Sequence, residues 1–139
     1  MPPLLTFVAR VNDGLPLVSH QTLSHEVQAN YQSQAKKILS GLGNSPGAAK
    51  LSIETSDRNI FHYLLRDGIC YLTLTESSYP KRLAFLYLDE IADGFIQELS
   101  KDYGSDWSRR IETAARPYEF IKLDTFLKRK QRVSNITAC

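Results

Sequence analysis

The chain has 139 residues, 42% of them hydrophobic and 23% charged, with a formal net charge of +2. That is the length and balance of one domain, able to bury about two-thirds of the surface its unfolded form exposes without disulfides or a structural metal. So small a charge excess makes no case for nucleic acid or an anionic membrane as the main partner. The two cysteines, Cys70 and Cys139, lie far apart and fit a reducing compartment better than a secreted disulfide scaffold.

Met1-Pro2-Pro3 leads into a short apolar run interrupted by Thr6 and Arg10, whereas a secretory signal needs an apolar core of roughly 7–15 residues. The densest apolar stretch, Leu83 to Leu88, falls far short of the roughly 20 residues that span a bilayer, so no direct membrane insertion by this chain is expected. Asn135-Ile136-Thr137 fits the glycosylation acceptor pattern, which matters only in a secreted protein.

From Leu4 to Val11 apolar residues alternate with period two and predict a strand. Asn12-Asp13-Gly14 supplies a turn, and Leu15 to Val18 is its hairpin partner. Pro16 has no N–H for a central ladder, which places that second strand at a sheet edge. Val27, Tyr31, Ala35, Ile38 and Leu42 then recur at helical spacing as one buried stripe, ended by Gly41 and Gly43 before a loop over Asn44 to Gly47. Three strands follow as a meander, Lys50 to Thr55, Asn59 to Arg66 and Gly68 to Thr75, with Ser56-Asp57 and Asp67-Gly68 as turns. Both alternating sets of the last two strands are apolar, so the sheet has to be covered on both faces.

Ser78-Tyr79-Pro80 reads as a helix start with Ser78 as cap. The stripe Ala84, Leu88, Ile91, Phe95 and Leu99, widened by Leu83, Phe85 and Leu86, marks the most buried helix. Ser100 to Ala115 surrounds the only tryptophan, Trp107, with polar residues and reads as a long loop holding a helical turn near Arg109 to Thr113. A last helix is expected from Pro117, with Phe120, Leu123 and Leu127 inward and the basic run Lys128 to Arg132 at its C-terminal end. The predicted order is ββαβββαα.

Signals for chemistry are sparse. Gly41 to Gly47 leaves a helix C-terminus and lacks the Lys-Ser/Thr of a phosphate loop. His20, His25 and His62 have neither HExxH nor Cys-x-x-Cys company, so no metal and no cofactor is expected. A Cys70–His62 pair on neighbouring strands is the one candidate for a thiol hydrolase; packing of Cys70 as a small hydrophobe is the simpler reading. Asp89, Glu90 and Asp93 read as a solvated helix face, and the basic run carries no interleaved aromatic platform for nucleic acid.

Four strings carry a resemblance: Ala9-Arg10-Val11-Asn12-Asp13-Gly14-Leu15-Pro16-Leu17, Tyr31 to Lys36, Tyr79 to Phe85, and Arg116-Pro117-Tyr118-Glu119-Phe120-Ile121-Lys122-Leu123-Asp124-Thr125-Phe126. Together they resemble the N-terminal longin domain of R-SNAREs acting between endoplasmic reticulum and Golgi. The resemblance implies an α/β (α+β) profilin-like longin domain, a five-stranded antiparallel sheet between one helix and two, over residues 1–130. Residues 131–139 form a tail where a SNARE coiled coil would begin in a longer, tail-anchored parent. It also implies a non-enzymatic domain on the cytosolic face of endoplasmic reticulum and Golgi membranes. The implied partners are its own SNARE segment, the inner layer of coat protein complex II and, through the parent, other SNAREs. No heptad segment or anchor follows within the sequence, so an excised head or a short form is expected.

The residues suggest where such a domain binds. The strand Lys50 to Thr55 is expected at the edge opposite the Pro16 strand. Leu51 and Ile53, with Tyr31, Ala35, Ile38 and Leu39 of the first helix, form the candidate groove for an extended peptide. The rival within this class is a stand-alone longin-fold subunit of a tether or coat, docking by the long helix near Pro80.

Overall fold

The computed structural model describes residues 3–23, 25–42, 49–55 and 57–138. The loop expected at Asn44 to Gly47, Ser56 of the predicted turn, and Cys139 lie outside them. Strands β1 (Leu5–Arg10), β2 (Pro16–Gln21), β3 (Lys50–Glu54), β4 (Asn59–Arg66) and β5 (Ile69–Glu76) form one antiparallel sheet in the order β2-β1-β5-β4-β3. Helix α1 (His25–Leu42) covers one face; α2 (Lys81–Tyr103), α3 (Trp107–Thr113) and α4 (Asp124–Ala138) lie on the other side. The two-faced apolar pattern of β4 and β5 is met by two cores. Leu5, Phe7, Phe61, Tyr63, Leu72 and Leu74 pack toward α1; Val8, Leu64, Ile69 and Tyr71 pack toward α2 and α4.

Pro16 stands on an edge strand and β3 on the opposite edge, as the sequence predicts. β2 extends to Gln21, and the β1–β2 register shifts between Val8 and Ala9. A bulge bends the strand and disrupts strict alternation, so the consecutive Leu17 and Val18 both enter the α2-side core.

Several sequence expectations are corrected. Pro80, with extended backbone, is the N-cap of α2, and no side chain caps that helix, so Ser78 does not serve. The five stripe residues from Ala84 to Leu99 are buried, but Leu86 is 47% exposed and belongs to the outer face. Ser100 to Ala115 is helical for most of its length: α2 runs on to Tyr103, Gly104 ends it at φ 58°, a 3-10 turn spans Gly104–Asp106, and α3 follows. Tertiary packing overrides local polarity there, because Tyr103, Trp107 and Ile111 join the core. The last helix starts at Asp124, not Pro117. The amides of Tyr118 and Phe120 bond instead to the carbonyls of Pro16 and Leu17, at 2.7 and 3.2 Å, and a 3-10 turn (Ile121–Leu123) precedes α4.

The buried polar side chains of Thr6, His62, Thr73 and Thr75 each find a hydroxyl, carbonyl, amide or ring partner, whereas Gln131 of α4 is bonded through Oε1 and its buried Nε2 has no hydrogen-bond partner among the described residues. Tyr87 Oη and Gln131 Oε1 lie 2.7 and 2.8 Å from Thr6 Oγ1, with the Thr6 hydroxyl donating to Gln131. Thr73 donates to the Leu5 carbonyl at 2.8 Å. Gly94 lets α4 approach: a Cβ there would meet the Phe126 ring at 2.4 Å.

Candidate functional site

The β3 edge is the starting point. Thr55 N–H donates to the Asn59 carbonyl and Leu65 N–H to the Ala49 carbonyl, both at 2.8 Å. In an antiparallel pair, residues alternate between bonding the neighbour and facing away from it. Ala49, Leu51, Ile53 and Thr55 therefore bond to β4, and Lys50, Ser52 and Glu54 direct their backbone N–H and C=O groups out of the sheet.

Side chains alternate across the faces as well. Leu51 and Ile53 stand opposite Tyr63 and Phe61, on the α1 face. Leu51 is 42% exposed, and Ile53 and Ile38 are half-buried. Tyr31, Ala35 and Leu39 are buried against the sheet; they form the floor and support of this region rather than its surface. Val27, assigned by its spacing to the buried stripe, is 39% exposed. It lies about three turns before Ile38 on the same helix flank, within about 20° in rotation. Val27 and Ile38 are thus the accessible apolar residues on one flank of α1, and Leu51 and Ile53 those on the α1 face of β3. The periodicity of α1 includes Val27 in the stripe, but only the position of the sheet decides which flank of that stripe stays uncovered.

A polar network ties α1 to the β3–β4 hairpin. The Tyr31 hydroxyl donates to Asp57 and accepts from Asn59 Nδ2 at 2.6 Å. Thr55 Oγ1 donates to the other Asp57 oxygen at 2.6 Å and accepts the Asn59 N–H at 3.1 Å. Hydrogen bonds from Thr55 and then Tyr31 hold the Asp57 carboxyl below its ordinary range, while burial and then the bond to Asp57 push the Tyr31 phenol up. The network fastens the first half of α1 to the β3–β4 hairpin.

On the other face of β3, Ser52 Oγ lies 2.8 Å from His62 Nδ1, and His62 Nε2 lies 3.0 Å from Thr75 Oγ1. His62 meets Phe85 edge to face, and Lys50 Nζ sits 5.9 Å from the same ring's centroid. Burial, with a smaller effect from Lys81, pulls the His62 pKa down to about 4.

The thiol–imidazole pair does not form. His62 stands opposite Thr73 and Cys70 opposite Leu65, so the two side chains occupy opposite faces of the sheet. Cys70 is fully buried and its thiol is pushed up to about 12 by burial alone, the reverse of what a nucleophilic thiolate needs. Asp89 and Asp93 do not form a simply solvated face: both pair with Arg66 and join α2 to β4. Among the described residues no cluster of three or more His, Cys, Asp or Glu is placed to hold a metal, and no helix is long and apolar enough to cross a membrane.

The family model of the longin, regulated-SNARE-like domain matches residues 17–127. The 25.3 kDa vesicle transport protein SEC22-1 of Arabidopsis thaliana is 37% identical over 132 residues, covering 93% of this chain and 56% of that protein. Protein transport protein sec22 of Schizosaccharomyces pombe is 40% identical over 134 residues, covering 94% and 57%. Vesicle-trafficking protein SEC22b-B of Danio rerio is 35% identical over 133 residues, covering 93% and 57%. None of these names is that of an enzyme. The chain spans just over half the length of the curated relatives it matches.

Proposed function

The chain belongs to the longin family of regulated-SNARE-like domains, and from that premise we propose that it is the non-enzymatic regulatory head of a SNARE in vesicle transport between endoplasmic reticulum and Golgi. It works on the cytosolic face of those membranes by capturing an extended peptide along β3. The outward N–H and C=O groups of Lys50, Ser52 and Glu54 supply the strand-like pairing, and alternate side chains of the peptide enter the strip of Val27, Ile38, Leu51 and Ile53 over the Tyr31, Ala35 and Leu39 floor. The segment captured is the SNARE segment of a longer parent. The folded-back form is then recognised by the inner layer of coat protein complex II, and release of the segment makes it available to other SNAREs.

The observation that carries this reading is a strand edge that pairs with nothing outward among the described residues and itself bears the exposed Leu51 and half-buried Ile53, since main-chain pairing provides affinity and alternate pockets provide selectivity. The relatives' vesicle-trafficking and transport names support the process. The test is the Leu51→Asp, Ile38→Asp double variant, with circular dichroism as the control for folding. Loss of binding to the parent's SNARE segment and to the coat is expected; undiminished binding sinks the groove.

A further inference from the structure

The β1–β2 turn, the β4–β5 turn and α3 enclose a cavity of about 430 Å³ that shares no residue with the β3 strip. Its walls include Arg10, Asn12, Asp67, Trp107, Ile111 and Glu112. Trp107 is half-buried: it packs against the α2-side core and also lines the cavity.

The charges in this cavity are unequally committed. Arg10 is fully engaged. Its Nε and Nη2 donate to the two oxygens of Asp13 at 2.9 and 2.6 Å. Its Nη1 lies 2.8, 3.0 and 2.8 Å from the carbonyls of Ile111, Glu112 and Ala114. That guanidinium fastens the end of α3 to β1, and its charge is answered by Asp13. The side chains of Asp67 and Glu112 form no ion pair among the described residues, although both line the cavity. Arg66 is engaged with Asp89 and Asp93, and Arg110 lies over the Tyr103 ring at 4.8 Å. A concave site with an indole wall, an apolar floor at Ile111 and two carboxylates that form no ion pair among the described residues is complementary to a cation with a planar or apolar body.

We propose that this cavity receives an arginine side chain of a partner protein, with the guanidinium against Trp107 and held by Asp67 and Glu112. Arginine fits better than lysine. Its planar, weakly hydrated group stacks on an aromatic surface while still donating to carboxylates, whereas an ammonium offers a compact, strongly hydrated charge.

Trp107 is the only tryptophan in the sequence, so all tryptophan fluorescence comes from a residue in the wall of this cavity. The 139-residue chain is titrated with blocked Gly-Arg-Gly, with Gly-Lys-Gly, with the peptide carrying uncharged citrulline, and with inorganic phosphate. The expected result is a saturable change with the arginine peptide, a weaker one with lysine and none with citrulline or phosphate. Affinity for arginine should fall about tenfold in the Asp67→Asn, Glu112→Gln variant, the scale of losing charge-assisted contacts at a partly exposed site. Both residues are exposed, and an unchanged melting curve confirms that the variant is folded. Equal responses to arginine and citrulline, saturation by phosphate, or an undiminished affinity in the variant would each overturn the assignment. If the variant does not melt as the parent chain does, the arginine-against-citrulline comparison on the unaltered chain decides alone.

Discussion

At the β2 edge of the sheet the chain closes on itself: Tyr118 and Phe120 donate to the carbonyls of Pro16 and Leu17, and Leu17 and Val18 are fully buried. At the β3 edge nothing among the described residues pairs outward, and Leu51 stands 42% exposed. The difference shows that an edge is protected by whatever chain is led across it. β2 is covered because the segment before α4 crosses it. β3 relies on shortness, five residues, and on Lys50 and Glu54 in outward-pairing positions, features that discourage indiscriminate strand addition. An edge guarded this lightly suits a selective, reversible partner.

Paired substitutions test that contrast, and the largest effect belongs to the closed edge. Leu17→Ala should cost about 3 kcal/mol, as truncation of a fully buried leucine does. Urea denaturation reads it directly, and a loss under about 1 kcal/mol would mean that the segment over β2 is not a packed cover.

His62 comes next, since it links β4 to the open edge through Ser52. Its pKa is about 4 in the folded chain against 6.5 in the unfolded one, so only the unfolded chain takes up a proton as pH falls through that interval. Stability is therefore fully present above about pH 6.5, decreases toward pH 4, and should drop by about 2 kcal/mol between pH 7 and pH 5 from this group. His62→Gln should flatten that part of the profile; an unaltered slope would show that His62 is not held neutral.

Tyr31→Phe removes the hydroxyl that joins α1 to Asp57 and Asn59 and should cost about 1 kcal/mol. Faster amide exchange should be confined to the β3–β4 hairpin, and uniform acceleration would refute its local role. The smallest effect is expected for Leu51→Ala, at about 0.5 kcal/mol, because most of its exposed surface gains little from folding. A melting point lowered as far as by Leu17→Ala would erase the distinction between the two edges.

The legibility of the molecule follows the same division. β1 is readable from period two, β4 and β5 from short apolar runs bounded by turns, α2 from its stripe, and the edge position of β2 from Pro16, because each signal lies within a few residues of itself. The open β3 edge follows from strand order, and it too was legible. The burial of Tyr31, Ala35 and Leu39 beneath the strip was not separable from the half-exposure of Ile38. All sit on one side of one helix, and only the offset of α1 across the sheet decides which flank is covered. The segment before α4 was misread because Tyr118 and Phe120 bond to residues about 100 positions earlier, beyond any local pattern.

Composition, periodicity and turn chemistry by themselves determined a single α+β domain whose sheet needs cover on both faces, since burial of alternating apolar residues is a local property of the chain. Tertiary structure alone decided that Cys70 and His62 face apart, that Trp107, Asp67 and Glu112 share a cavity, and that one sheet edge is covered while the other pairs with nothing outward among the described residues. Those outcomes depend on which distant segments meet, and contacts between distant segments leave no period in the sequence.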